Sequence, residues 1–130
     1  YAEASGSLAL ISPIDIAFTE HDVLQPDVVL FRQDRRAQID MMKVIRIAPD
    51  LAVEVVSPGT EARDRGRKMQ MFARFGVVEY WIVDPVRNTL EIYGLNEGRY
   101  VQMAVCGDAD RVVSPTLARL SFDASRIFEE

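Results

Sequence analysis

The spacing of hydrophobic and polar positions changes several times along the chain, and each change marks an element. Leu8-Ala9-Leu10-Ile11 is an apolar run of strand length, and Pro13 confines it to a sheet edge or interrupts it, because proline has no amide to give a ladder. Ile14-Asp15-Ile16-Ala17-Phe18 alternates and predicts a continuation of strand, followed by a turn over 19–24. Past Pro26, Asp27-Val28-Val29-Leu30-Phe31 is rich in β-branched residues and predicts another strand. Residues 32–40 are polar without period and read as a loop, and 32–43 is expected to be the most mobile interior segment. Leu51-Ala52-Val53-Glu54-Val55-Val56 then reads as a buried strand, stopped by Ser57-Pro58-Gly59-Thr60, where Ser57 or Thr60 is available as a helix N-cap.

Over 63–75 the period lengthens to that of a helix. Lys68, Met69, Phe72, Phe75 and Gly76 share one face, and Gly76 is placed to end the helix. Glu79-Tyr80-Trp81-Ile82-Val83 is the next strand, closed by Asp84-Pro85. Residues 89–93 and 100–105 form an antiparallel hairpin across Asn96-Glu97-Gly98. A short strand near Leu120 and a terminal turn over 125–128 follow, while 1–6 is weakly structured. Residues 51–83 thus make a β-α-β unit, whose two strands are normally parallel. The fold class is α/β (α+β): a mixed sheet carrying a crossover helix and C-terminal antiparallel hairpins.

Composition narrows the setting. With 130 residues the chain is expected to be one domain over 1–130. No apolar run approaches the roughly 18 residues of a membrane span, and no secretory signal is visible. Cys106 is the only cysteine, which rules out an intrachain disulfide and points to a reducing, cytoplasmic setting. A single histidine, His21, excludes a zinc site of the Cys/His type. The net charge of −5 argues against indiscriminate coating of nucleic acid. Its distribution does not: ten of the 15 Lys and Arg residues fall between Arg32 and Arg74 against six acids, so that stretch is +4 and the remainder −9. A solvated charged face is the ordinary meaning of such a bias, but this one brackets Glu54.

Glu54 is the residue that packing explains least. An unpaired carboxylate desolvated in a run of Leu, Ala and Val costs at least several kcal/mol, so it needs a metal ion, a cationic side chain or a reacting group as partner. An edge position, or a pairing with arginine, is the plain alternative. Asp27 begins the preceding strand, and Lys68 lies two turns into the crossover helix on the side facing the sheet. Two carboxylates and a lysine suit metal-assisted phosphodiester hydrolysis. The carboxylates offer hard oxygen ligands for Mg²⁺, and the ammonium orients water and offsets transition-state charge. Taken singly, Lys68 also reads as an i, i+4 partner of Asp64 and Asp27 as a turn residue after Pro26. Other constellations are weaker. Cys106 with His21 has no supporting motif, the Ser57–Thr60 stretch reads as a plain turn before a phosphate site, and a two-carboxylate glycosidase lacks an aromatic sugar platform.

Four ordered phrases bear on the choice: Gln25-Pro26-Asp27-Val28; Pro49-Asp50-Leu51-Ala52-Val53-Glu54-Val55-Val56-Ser57-Pro58; Asp64-Arg65-Gly66-Arg67-Lys68; and Gly76-Val77-Val78-Glu79-Tyr80-Trp81-Ile82-Val83-Asp84-Pro85. Together, across roughly 13–120, they resemble the Uma-two family, whose members are described as restriction endonucleases of the PD-(D/E)XK fold. The resemblance implies Asp27 and Glu54 as metal-binding carboxylates for Mg²⁺ or Mn²⁺, Lys68 as the catalytic lysine, and DNA as substrate. Two departures matter. The fold's usual lysine, two residues after the acid, is here Val56, so Lys68 would serve from the helix. Family members also carry an N-terminal helix and strand ahead of the point where this chain begins, so truncation is expected, and with it a homodimer or higher oligomer that buries the uncovered sheet surface. The alternative function is a nuclease-fold module that binds nucleic acid or protein without cutting. On the same reasoning, Glu54→Gln is expected to leave the fold intact and even to relieve a buried charge.

Overall fold

A computed structural model of the chain describes residues 5–128, apart from the side chains of Arg63 and Asp64. Its centre is a six-stranded sheet. In chain order the strands are β1 (Leu8–Ile11), β4 (Val28–Phe31), β5 (Leu51–Val55), β6 (Glu79–Asp84), β7 (Thr89–Asn96) and β8 (Arg99–Gly107), and they are neighbours in that same order. Only β5 and β6 are parallel, joined by the crossover helix, as a β-α-β unit requires. Two small hairpins complete the strands: β2 (Ile16–Ala17) with β3 (Val23–Leu24), and β9 (Arg111–Val113) with β10 (Ser121–Asp123). β1 is a sheet edge, where Pro13 had confined it. Most of the expectation for 1–6 falls outside the described residues.

Strand alternation divides the apolar side chains between two faces. Leu51, Val53, Trp81, Val83, Leu90 and Ile92 look toward the C-terminal segment, whereas Val29, Phe31, Ala52, Tyr80 and Ile82 look toward the helix. The first face is closed by a buried carboxylate. Glu79, 0% exposed, accepts hydrogen bonds from the Trp81 indole at 2.6 Å, the Ser114 hydroxyl at 2.8 Å and the Thr116 hydroxyl at 2.5 Å, tying the segment after β9 to the start of β6.

The helix comes in two pieces. α1 (Glu61–Arg65) and α2 (Arg67–Arg74) meet at Gly66, where the helical dihedrals are interrupted. A Cβ at Gly66 would lie 2.8 Å from the Ala62 carbonyl oxygen, so this close approach demands glycine. Thr60 stands at the N-cap, but its hydroxyl turns back to accept the Ser57 amide instead of capping the helix. The end of α2 follows expectation. Gly76 has φ +84°, its amide bonds the Ala73 carbonyl, and the Val77 amide bonds that of Phe72, the paired pattern of a glycine-terminated helix. Phe72 packs at 5.4 Å on Tyr80 of the sheet, and Phe18, just after β2, stacks at 4.6 Å on Phe75. The β2–β3 hairpin is thereby held against the helix.

Residues 32–40 are not an irregular loop. Gln33–Gln38 is a 3-10 helix, and Asp50 holds its start by accepting the Arg32 amide at 2.7 Å and the Arg35 guanidinium at 3.0 Å. Polarity without period misled here because the stabilising contact lies 15 or more residues along the chain. The β7–β8 hairpin turns through Glu97 and Gly98, both with positive φ, as a two-residue hairpin turn needs.

A second anchor of the helix is electrostatic. The Arg65 guanidinium bonds Glu61 at 2.9 Å and also Glu91 of β7, which further accepts the Tyr93 hydroxyl at 2.8 Å. Burial opposes ionisation of Glu91, but the bonds from Arg65 and Tyr93 outweigh it and hold this carboxyl below its ordinary value near 4.5. The Glu91 bond in turn raises the Arg65 pKa.

Two outcomes follow. Because the folded-state pKa of Glu91 is depressed, its contribution is fully present above the unfolded value and is lost as pH falls through the folded one. Urea midpoints measured from about pH 5 down to about pH 3 should therefore fall more steeply for the wild type than for Glu91→Gln. For Gly66→Ala, better helix propensity is worth up to about 1 kcal/mol, but the clash is with backbone and costs about 1–3 kcal/mol. A lower urea midpoint is the expected net result.

Candidate active site

Asp27 and Glu54 are brought together by strand register. The β4–β5 ladder pairs Val28 with Val53. Carried one residue further, it sets Asp27 across from Glu54, on the face covered by the helix. The Asp27 amide donates to the Val53 carbonyl at 3.1 Å, and the Val55 amide donates to Asp27 Oδ2 at 2.7 Å. One Asp27 oxygen thus serves as an acceptor at the end of the ladder, immediately beside Glu54. Glu54 itself is 2% exposed, and Asp27 is half-buried.

Lys68 completes the cluster from above. It is 8% exposed, and its Nζ donates to Glu54 Oε2 at 2.8 Å and to the Gln25 carbonyl at 2.9 Å. Among the described residues, the partner that Glu54 required is therefore a cationic side chain, that of Lys68. The alternative pairing of Lys68 with Asp64 involves a side chain outside the described residues. Pairing also corrects the expected effect of Glu54→Gln. The carboxylate is not an unmatched charge in the metal-free protein, so neutralising it strands a buried ammonium instead of relieving a penalty.

Gln25 has a role that its sequence did not announce. Its side-chain amide donates to Asp15 at 2.7 Å, which steadies the residue whose carbonyl receives Lys68. A residue before proline is biased to extended backbone, the one signal available in Gln25-Pro26. Arg65 was likewise overlooked. It lies one helical turn before Lys68, so both reach the sheet from the same side.

Among the described residues no group of three or more His, Cys, Asp or Glu side chains gathers as a metal cage. The pair Asp27 and Glu54 fits a different kind of site. Mg²⁺ is commonly held by one or two carboxylates, with water and substrate phosphate as its other ligands, and an ionised carboxylate presents acceptor sites on both of its oxygens. Of this cluster, Lys68 and Gln25 line a cleft of about 520 Å³ between the β2–β3 hairpin and α2, with Asp27 and Glu54 behind them.

The other candidates fall away from this centre. Cys106 is buried on the sheet face opposite the helix, and burial, with Asp110, pushes its thiol pKa up, so it is no thiolate nucleophile. His21 lines the cleft beside Lys68, on the sheet face opposite Cys106, so the two form no nucleophilic pair. Asp84 closes a turn by accepting the Val86 and Arg87 amides at 3.0 and 3.1 Å.

Comparison with known proteins agrees with the fold. A search of curated proteins returns no match. A solved structure, titled as a putative nuclease belonging to DUF820 from Anabaena variabilis ATCC 29413, superposes with a TM-score of 0.75 at 19% identity, covering 96% of this chain and 69% of that one. At that identity the likeness establishes the fold alone. The family evidence is broader: the Uma2 model, described as "Putative restriction endonuclease", matches residues 1–125. The chain therefore belongs to the Uma2 family.

Proposed function

We propose that the chain, acting as one domain over 1–130, is a metal-dependent endonuclease of DNA, with Asp27, Glu54 and Lys68 as its working residues. The observation that carries the proposal is the convergence itself. Two carboxylates from adjacent strands face the same way, and the lysine that meets one of them comes from a separate element with its charge at the wall of an open cleft. Membership of a family described as restriction endonucleases supports the reaction class, as does the nuclease title of the Anabaena structure.

In this reading Asp27 and Glu54 hold Mg²⁺ or Mn²⁺, which when bound supplies charge neutralisation at the phosphate and a more acidic water. Asp27 is preset for this by the Val55 amide, which fixes the carboxylate without neutralising it. Lys68 has two acceptors, Glu54 and the Gln25 carbonyl. Its ammonium is therefore held in place before substrate arrives and needs little reorganisation to stabilise developing negative charge. Glu54 thus stands in an ion pair with Lys68 at the place where the cation would be held. Self-association belongs to the same proposal, since the edge strand β8 exposes Val101, Met103 and Val105.

Glu54→Gln should abolish Mn²⁺ binding in calorimetry and cleavage of plasmid DNA. It should also lower stability in metal-free urea titrations, by up to about 3–5 kcal/mol. Lys68→Ala should suppress cleavage while Mn²⁺ still binds, and because Glu54 then lacks its ammonium, added Mn²⁺ should raise the Tm of this variant more than that of the wild type. Unchanged Mn²⁺ binding by Glu54→Gln would remove the central ligand and leave the non-cutting module as the better account.

A further inference from the structure

We propose that the cleft beside Lys68 seats one strand of the sugar–phosphate backbone, with Arg67 and His21 binding phosphates that flank the one undergoing reaction. This deepens the nuclease reading and rests on it.

The cleft, about 520 Å³, runs between the β2–β3 hairpin and the start of α2, and Lys68 forms part of its wall. Arg67 and Lys68 are consecutive on the helix and so point about 100° apart. Lys68 turns down onto Glu54, and Arg67 is left at the cleft, exposed. Among the described residues it shares the lack of a carboxylate partner with arginines such as Arg46, Arg99, Arg119 and Arg126, and of these it alone lines the cleft. Arg35, Arg65, Arg87 and Arg111 each meet a carboxylate within 3.5 Å, whereas Arg67 is in no ion pair or side-chain hydrogen bond among the described residues. The His21 ring, opposite on the hairpin, is exposed and likewise without a side-chain hydrogen bond among them.

Among the described residues, one carboxylate lines the cleft. Asp22 is half-buried and accepts the Thr19 hydroxyl at 2.7 Å, closing the hairpin turn. Lys68 is already paired with Glu54, so Arg67 is the cation left at the cleft to meet an entering phosphate, against Asp22. Leu24 and Met71 add apolar wall where a sugar can rest. A guanidinium matches phosphate oxygens in a planar, two-pronged way, and an imidazole ring N–H adds a further donor. Both side chains stand on elements locked together by the Phe18 and Phe75 stack, so the cleft is built before substrate arrives.

The test is the salt dependence of binding. Anisotropy of a fluorescein-labelled short duplex is followed with Ca²⁺ replacing Mg²⁺, for wild type, Arg67→Ala, His21→Ala and, as a control for loss of one remote charge, Arg99→Ala on the β7–β8 hairpin. Arg67→Ala should weaken binding several-fold and reduce the slope of log K against log salt by about 0.9, the loss of one phosphate contact. His21→Ala should also weaken binding, through loss of a hydrogen-bond donor to phosphate. Arg99→Ala should do neither. Wild-type binding in which Arg67→Ala or His21→Ala behaves like Arg99→Ala overturns the cleft proposal and leaves the nuclease reading standing. A wild type that shows no salt-dependent binding of duplex or single strand overturns both.

Discussion

The contact between Lys68 and Glu54 is where helix, sheet and candidate chemistry meet. Each group alone would be untenable: a carboxylate at 2% exposure or an ammonium at 8% loses most of its hydration. Joined at 2.8 Å, with the Gln25 carbonyl as a further acceptor, they are mutually supported. The arrangement fixes where α2 sits over the sheet, because a displaced helix would part the charges. Arg65 and Glu91 repeat the device one turn earlier, in a less buried setting where the energy is smaller. The crossover is thus pinned by two charged contacts on one helical side, with Phe72 packed below them.

Much of the fold was legible because local period and global packing agree. The strand at 51–55, the helix end at Gly76 and the hairpin turn at Glu97-Gly98 all carry signals within a few residues of themselves. The failures share a cause too. The 3-10 helix at Gln33–Gln38 depends on Asp50, and the break at Gly66 depends on how near the Ala62 carbonyl lies. Neither is visible in a window of sequence. At the site, Asp27, Glu54 and Lys68 could be named from residue type and position, but the Gln25 carbonyl could not, since every residue has one.

Burial of an acid in an apolar strand was the argument that singled out Glu54, and Glu79 is its instructive counterpart. Glu79 opens an equally apolar strand and is 0% exposed. Its oxygens are consumed by Trp81, Ser114 and Thr116, neutral donors that leave no opening and seat the C-terminal segment. Glu54 meets instead an ammonium that forms part of the wall of a cleft. Burial identifies a carboxylate whose environment must be special. Only the character of its partners separates a structural bolt from a reactive group.

The discontinuity at Gly66 bears on how such a chain tolerates change. In an unbroken helix, one inserted residue turns everything beyond it by about 100°, which would swing Lys68 away from the sheet. Here the helical dihedrals are interrupted between α1 and α2, and each piece has its own contact to the sheet: Arg65 before the break, Lys68 and Phe72 after it. Length variation in the segment before the break can be absorbed without altering the azimuth of the lysine. The glycine decouples the drift of the surface turn from the aim of the buried charge.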